Sequence, residues 1–178
     1  MLLRKADISE IERVMEILAD GREALAAAGI DQWQGGYPYR DVIERDIALG
    51  QSYVVEDGDG GLIATAVISF LSEKDYLVIE GGEWLTDAPE GSEAYAVVHR
   101  VAVAHTAKGK GVASFILEGA EEIAKEGGAR SIRVDTHADN TPMRKLLAKE
   151  GYTHCGTVYV SHAGELSSAR MAFEKILV

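Results

Sequence analysis

Apolar and polar positions alternate along this chain with two different periods, and the points where one period gives way to the other predict its elements. Residues 2–5 read as a short strand. Ile8, Ile11, Met15 and Leu18 recur at helical spacing behind Asp7 and Ser9, either of which can cap a helix start, so a helix is predicted to about Ala28. Residues 29–38 are rich in glycine and aromatics and read as a loop, while 41–49 has helical character. Residues 51–56 and 62–70 are strand-like and joined by Asp57-Gly58-Asp59-Gly60-Gly61, a hairpin signal, and 76–80 adds another strand. An apolar strand from 97, a helix, a strand at 131–136, a helix through Glu150 and closing strands, the last over 167–175, complete the order. Glu118, Glu121, Glu122, Lys125 and Glu126 mark the solvated face of the first of these helices, opposite Ile116, Leu117 and Ile123. Such an order predicts a mixed sheet with helices on its faces.

The junction after Val97-Val98-His99-Arg100-Val101-Ala102-Val103 carries the most chemistry. A four-residue loop leads to Lys108-Gly109-Lys110-Gly111-Val112-Ala113, where a helix begins at once. Unpaired backbone N–H groups and the positive helix end therefore converge on one spot suited to a phosphate. Glycines let the main chain approach a bulky anion, and Lys108 and Lys110 add positive charge. A P-loop would need Lys-Ser or Lys-Thr where Val112-Ala113 stand, so nucleotide hydrolysis is not indicated. A dinucleotide fingerprint would need Gly or Ala at Ser114, and it normally opens its domain.

Lys108-x-x-Gly111-x-Ala113 resembles the pyrophosphate loop of the GCN5-related N-acetyltransferases, with lysine in the first position. The resemblance continues downstream: a strand over 131–136, Asn140 just past it, a helix, and Gly151-Tyr152 at that helix's end match the family's second block in type, order and spacing. The resemblance implies an α/β (α+β) fold, with a mixed, mostly antiparallel central sheet of about six to seven strands and helices on both faces. It also implies one acetyltransferase domain over 1–178, with an acetyl-CoA-binding core at 95–160 and an acceptor loop at 29–40. Acetyl-CoA would be the co-substrate, its diphosphate held by Lys108, Gly109, Lys110, Gly111, Val112 and Ala113. Its pantetheine arm would meet Asn140 and the main chain of Val101 and Val103. Asn140 reads equally as the cap of a helix with Pro142 in its first turn, and the valines equally as sheet core. Many members carry a tyrosine, seven residues after the asparagine, that protonates the departing thiolate; here Leu147 stands there, so the general acid is left open.

The implied reaction is direct attack of a primary amine on the thioester in a ternary complex, with the oxyanion stabilised by the Val101 N–H. An alkylammonium has a pKa of about 10.4 and must lose a proton before it attacks. His99 is the first choice of base, since an unperturbed imidazole titrates near ~6.5 and strand alternation puts it on the face of Val101 and Val103. A half-buried structural histidine is an equal reading. Glu83 and Glu80 are rival carboxylates, with Glu83 preferred for its place after two glycines. Trp33 and Tyr37 are the expected wall of the acceptor pocket, through cation–π attraction, or else a hydrophobic cluster over the sheet. Leu147 also keeps open a non-catalytic acyl-CoA-binding or sensor module, and a protein-contact adapter is a weaker third reading.

The chain has 178 residues, 47% of them apolar, which suits a single core. A net charge of −11 and a pI near 4.9 argue against nucleic acid and anionic membrane and favour a cationic small-molecule or peptide amine. No apolar run reaches the ~18 residues of a membrane span, and the amino terminus lacks a secretory pattern, so a cytoplasmic location is expected. Cys155 is the single cysteine and reads as inert and buried. No metal is expected: Asp135, His137 and Asp139, with His154, Cys155 and His162 further on, read as a turn and helix cap rather than ligands. A homodimer is compatible with the family, and neither the acceptor amine nor the preferred acyl length is legible.

Overall fold

Asp7 starts the first helical segment with a reciprocal cap. Its carboxylate accepts the Ser9 N–H at 2.9 Å, while Glu10 Oε2 accepts the Asp7 N–H at 2.8 Å. A 3-10 turn over Ile8–Glu10 leads into α1 (Ile11–Ala27), which buries Ile11, Val14, Ile17 and Leu18 along one stripe. In the computed structural model, residues 1–88, 94–161 and 168–177 are described. The remaining elements are β1 (Leu2–Lys5), α2 (Arg40–Ala48), β2 (Ser52–Glu56), β3 (Leu62–Ser69), β4 (Tyr95–Val103), α3 (Val112–Glu126), β5 (Ser131–Thr136), α4 (Thr141–Lys149), β6 (Thr153–Tyr159) and β7 (Ala169–Ile176). The strands form one seven-stranded sheet in the order β1-β2-β3-β4-β5-β7-β6, antiparallel except for β4 beside β5.

Helices cover both faces. Leu117, Ala120 and Ala124 of α3 and Leu147 of α4 pack on Ala96, Val98, Ile132 and Val134. On the other face α1 and α2 pack on Val54 and Ala102. Two features of the sheet position the site. First, β4 and β5 pair only from Tyr95↔Ser131 to Val98↔Val134; beyond that point β4 continues along β3 and β5 along β7, so a split opens between them. Second, β4 bulges. His99 pairs with Val67 and Ala102 with Thr65, so Arg100 and Val101 together oppose Ala66, and Arg100 takes φ 54°.

The bulge corrects one expectation. It interrupts strand alternation, leaving His99 on the face of Tyr95, Val97 and Ala102, whereas Val101 and Val103 pack toward α3 with Ala64, Ala66 and Ile116. The predicted strand at 76–80 is also not formed. Lys74–Tyr76 is a 3-10 turn because Glu73 caps the Asp75 N–H and the Tyr76 side chain is drawn into a cluster with Tyr95, Val97 and Val158; Glu80 alone bridges to Thr157. The closing strand begins at Ala169, and Ser167 and His162 lie outside the described residues.

Candidate functional site

The junction between β4 and α3 folds as a phosphate-binding turn requires. Gly109 and Gly111 take φ 76° and 77°, a conformation that costs L side chains energy but not glycine. A Cβ on either would meet nothing within 4 Å, so the space beside them is open. Gly111 is the N-cap of α3 and has no side chain to satisfy the helix's first N–H groups, which therefore stay available to a ligand together with the helix dipole. Ser114 donates to Glu150 Oε1 at 2.7 Å and ties the first turn of α3 to the end of α4.

A cleft of about 290 Å³ runs from Lys108, through the split, to the loop before α2. Of the residues expected to hold the cofactor, it brings Val101, Val103, Lys108 and Asn140 to its walls. Lys110 instead lines a separate hollow beside Asp57. Asn140 caps α4, its Oδ1 accepting the Met143 N–H at 3.3 Å, and the residue also lines the cleft. Its Nδ2 donates to Gln32 Oε1 at 3.3 Å, and the same oxygen accepts the Thr136 hydroxyl at 3.4 Å and the His137 N–H at 3.3 Å. Gln32 thus pins the 29–40 loop to the end of β5. Sequence reasoning missed it, because a glutamine in a loop carries no periodic signal.

At the far end stand His99, Trp33 and Tyr37, all lining the cleft, whereas Glu83 is exposed and does not line it. Trp33 is also core, 6% exposed and packed with α1, so it belongs to a hydrophobic cluster over the sheet while lining the cleft. His99 Nε2 lies 3.4 Å from Glu73 Oε2. Glu73 is itself held: its N–H donates to the Tyr95 hydroxyl at 3.1 Å, and its other oxygen caps Asp75. The neighbouring imidazole keeps the Glu73 carboxyl below the usual glutamate range. Tyr76 donates to Asp135 Oδ2 at 2.7 Å, and burial, reinforced by that carboxylate, pushes its phenol well above the ordinary value. Glu73 and Tyr76 were not singled out from the sequence, and Asp135 was weighed there only with His137 and Asp139, since the topology, not the spacing, brings the three to His99.

Two guanidinium groups enter the same end. Arg100 donates from Nε to the Tyr37 hydroxyl at 2.6 Å and from Nη1 to Asp46 at 2.8 Å. Burial raises the Asp46 carboxyl, with Arg100 opposing. Arg170 of β7 is 2% exposed, with Nε 3.9 Å from Asp135. Leu147 is fully buried in the core rather than in the cleft wall, and Cys155 is buried on β6, its thiol pushed up by desolvation. His137 and Asp139 make a local contact, His137 Nδ1 accepting the Asp139 N–H at 3.2 Å, whereas Asp135 is held by Tyr76 and Arg170 from elsewhere in the chain.

The family model described as Acetyltransferase (GNAT) family matches residues 12–152. A GNAT-family acetyltransferase from Streptococcus agalactiae is 32% identical and superposes with a TM-score of 0.85, over 98% of this chain and 94% of that one. Ribosomal-protein-alanine N-acetyltransferase from Brucella melitensis is 19% identical with a TM-score of 0.68, over 99% of this chain and 100% of that one. YncA from Salmonella typhimurium, solved with its cofactor acetyl-CoA, is 17% identical with a TM-score of 0.68, over 100% of this chain and 94% of that one. No curated protein sequence matches this chain significantly. Among the described residues no helix is long and apolar enough to cross a membrane.

Proposed function

Because this chain belongs to the acetyltransferase (GNAT) family, whose members transfer acetyl groups from acetyl-CoA, we propose that it acetylates a primary amine by direct attack within a ternary complex. The observation that carries this reading is the continuity of the cleft: one cavity runs from Lys108, in the loop that leads into α3, to a titratable pair, His99 and Glu73, through the split between β4 and β5.

Acetyl-CoA supplies the activated thioester. The residues present fit it: two left-handed glycines with open space beside them, an uncapped helix start, Lys108, and a slot between strands. Gly109, Gly111, Val112 and Ala113 would hold the diphosphate with main-chain N–H groups, Asn140 and the main chain of Val101 and Val103 the amide arm. Lys108 adds charge at the cleft, and Lys110 a longer-range field. The Val101 N–H, at the bulge, would face the developing oxyanion. His99 would take the acceptor's proton at Nε2, and Glu73, ionised throughout the neutral range, would stabilise the imidazolium. Glu83 has no part in this scheme, being outside the cleft. Trp33 and Tyr37 would wall the acceptor.

A non-catalytic acyl-CoA-binding module is the second reading, favoured by Leu147 lying in the core where many relatives carry a tyrosine. Initial-rate kinetics of thiol release against a primary-amine panel separate the two. Intersecting double-reciprocal patterns with an N-acetylated product support transfer in a ternary complex. Parallel patterns contradict direct attack, and tight acetyl-CoA binding without turnover of any amine supports the sensor.

A further inference from the structure

The acceptor end of the cleft carries both signs of charge, and the arrangement selects a class of acceptor. Glu73, Asp75 and Asp135 line it together with Arg100 and Arg170. Two guanidinium groups are unexpected here. The overall charge of −11 and the three wall carboxylates suit a simple cation, yet a purely cationic diamine or polyamine would give the two guanidinium groups on the same wall no part in binding it. Nor do they serve the cofactor's phosphates. Those belong at the opposite end, where Lys108 and the start of α3 lie, whereas Arg100 comes from the bulge of β4 and Arg170 from β7.

Arg100 is placed at some cost. A non-glycine residue at φ 54° is strained, and such strain persists where the surroundings hold it. Here they do: Tyr37 and Asp46 take Nε and Nη1, two positions of a group with five donors, and the counter-ion Asp46 comes from α2, outside the cleft wall. The acids are oriented as well. Glu73 faces His99, and Asp75 accepts the Ser161 N–H at 2.9 Å.

We propose that the acceptor is an amine that also carries a carboxylate, an amino-acid-like zwitterion, with its carboxylate taken by Arg100 and Arg170 and its amino group directed to His99 and Glu73. This rests on the amine-acetylation reading above and names its substrate class. Planar guanidinium groups match a carboxylate's geometry, and the opposite pole then falls to the carboxylates on the same wall.

The test compares acceptors that differ only at the carboxylate. Free amino acids are screened by thiol release, and the best is set against its own carboxamide and its decarboxylated amine. The carboxylate is expected to improve kcat/KM by about 10–100-fold, chiefly through KM, which corresponds to one or two charge-assisted hydrogen bonds. Arg170→Gln is expected to erase that preference while leaving the acetyl-CoA dissociation constant unchanged. Arg170→Lys, which keeps the charge, guards against misfolding and should retain part of the preference. Equal or better turnover of the carboxamide, the simple amine or a peptide amino terminus would overturn the zwitterion proposal but leave acetyl transfer standing. Absence of turnover with every acceptor, while acetyl-CoA still binds, would overturn both.

Discussion

His99 Nε2 stands 3.4 Å from Glu73 Oε2, across the junction between β4 and the segment that leaves β3. Removing the carboxylate removes the partner that faces the ring, so Glu73→Gln should lower kcat. His99→Gln should lose about 10²–10⁴-fold in rate. An unchanged kcat in both variants would remove this pair from the proton path.

Gln32 holds the 29–40 loop through one side-chain oxygen that takes three donors. Gln32→Ala should raise KM for the acceptor, with kcat and the acetyl-CoA dissociation constant little changed. Steady-state kinetics with each substrate varied in turn check this.

Glu174 is fully buried and accepts hydrogen bonds from the Leu85 N–H at 2.5 Å, Ser131 Oγ at 2.5 Å, Arg133 Nε at 3.0 Å and the Thr86 hydroxyl. Arg133 lies between the rings of Trp84 and Tyr95, 4.2 and 3.9 Å from their centroids. Breaking such a pair leaves a buried charge uncompensated, so Glu174→Ala should cost about 3–5 kcal/mol in denaturant unfolding. The double variant Glu174→Leu with Arg133→Met should cost less than Glu174→Ala alone, because no buried charge remains.

Acid should reveal a different set of groups. Glu10 is held below the ordinary glutamate range, first by the side-chain hydrogen bond from Arg4, and Glu150 by that from Ser114. A carboxylate whose folded pKa is depressed contributes stability above its unfolded value, near ~4.3, and loses it as pH falls through the folded value. Glu10→Gln should therefore be less stable than the parent at pH 7, with the gap closing below a pH of about 4. Denaturant midpoints at several pH values measure it, and a gap independent of pH would contradict the assignment.

The fold of residues 95–160 was legible because its signals are local. Lys108 to Ala113, the strand at 131–136 and Asn140 with Gly151-Tyr152 each declare themselves within a few residues, and the strands and helices around them form where periodicity places them. The far end of the cleft was not. Glu73, Asp135, Arg100 and Arg170 come from four segments that only the sheet order brings together, and nothing in the spacing marks one against another. The bulge at Arg100 has no glycine to announce it, so alternation carried through Val101 misassigned the face of His99. Residues 76–80 have a strand's composition, but Tyr76 gains more by burial against Tyr95 and Val158 than by extending.

The claim on which the rest depends is that main-chain N–H groups at the start of α3 hold acetyl-CoA. Titration calorimetry of acetyl-CoA against the parent protein and against Gly111→Val, with thermal melting to verify the fold, tests it most directly. The account predicts saturable binding by the parent and binding weakened at least tenfold in the variant, since a β-branched residue at φ 77° displaces the loop by about 1 kcal/mol or more of strain and crowds the anion. An equal dissociation constant in a folded variant, or no binding by the parent, would contradict it.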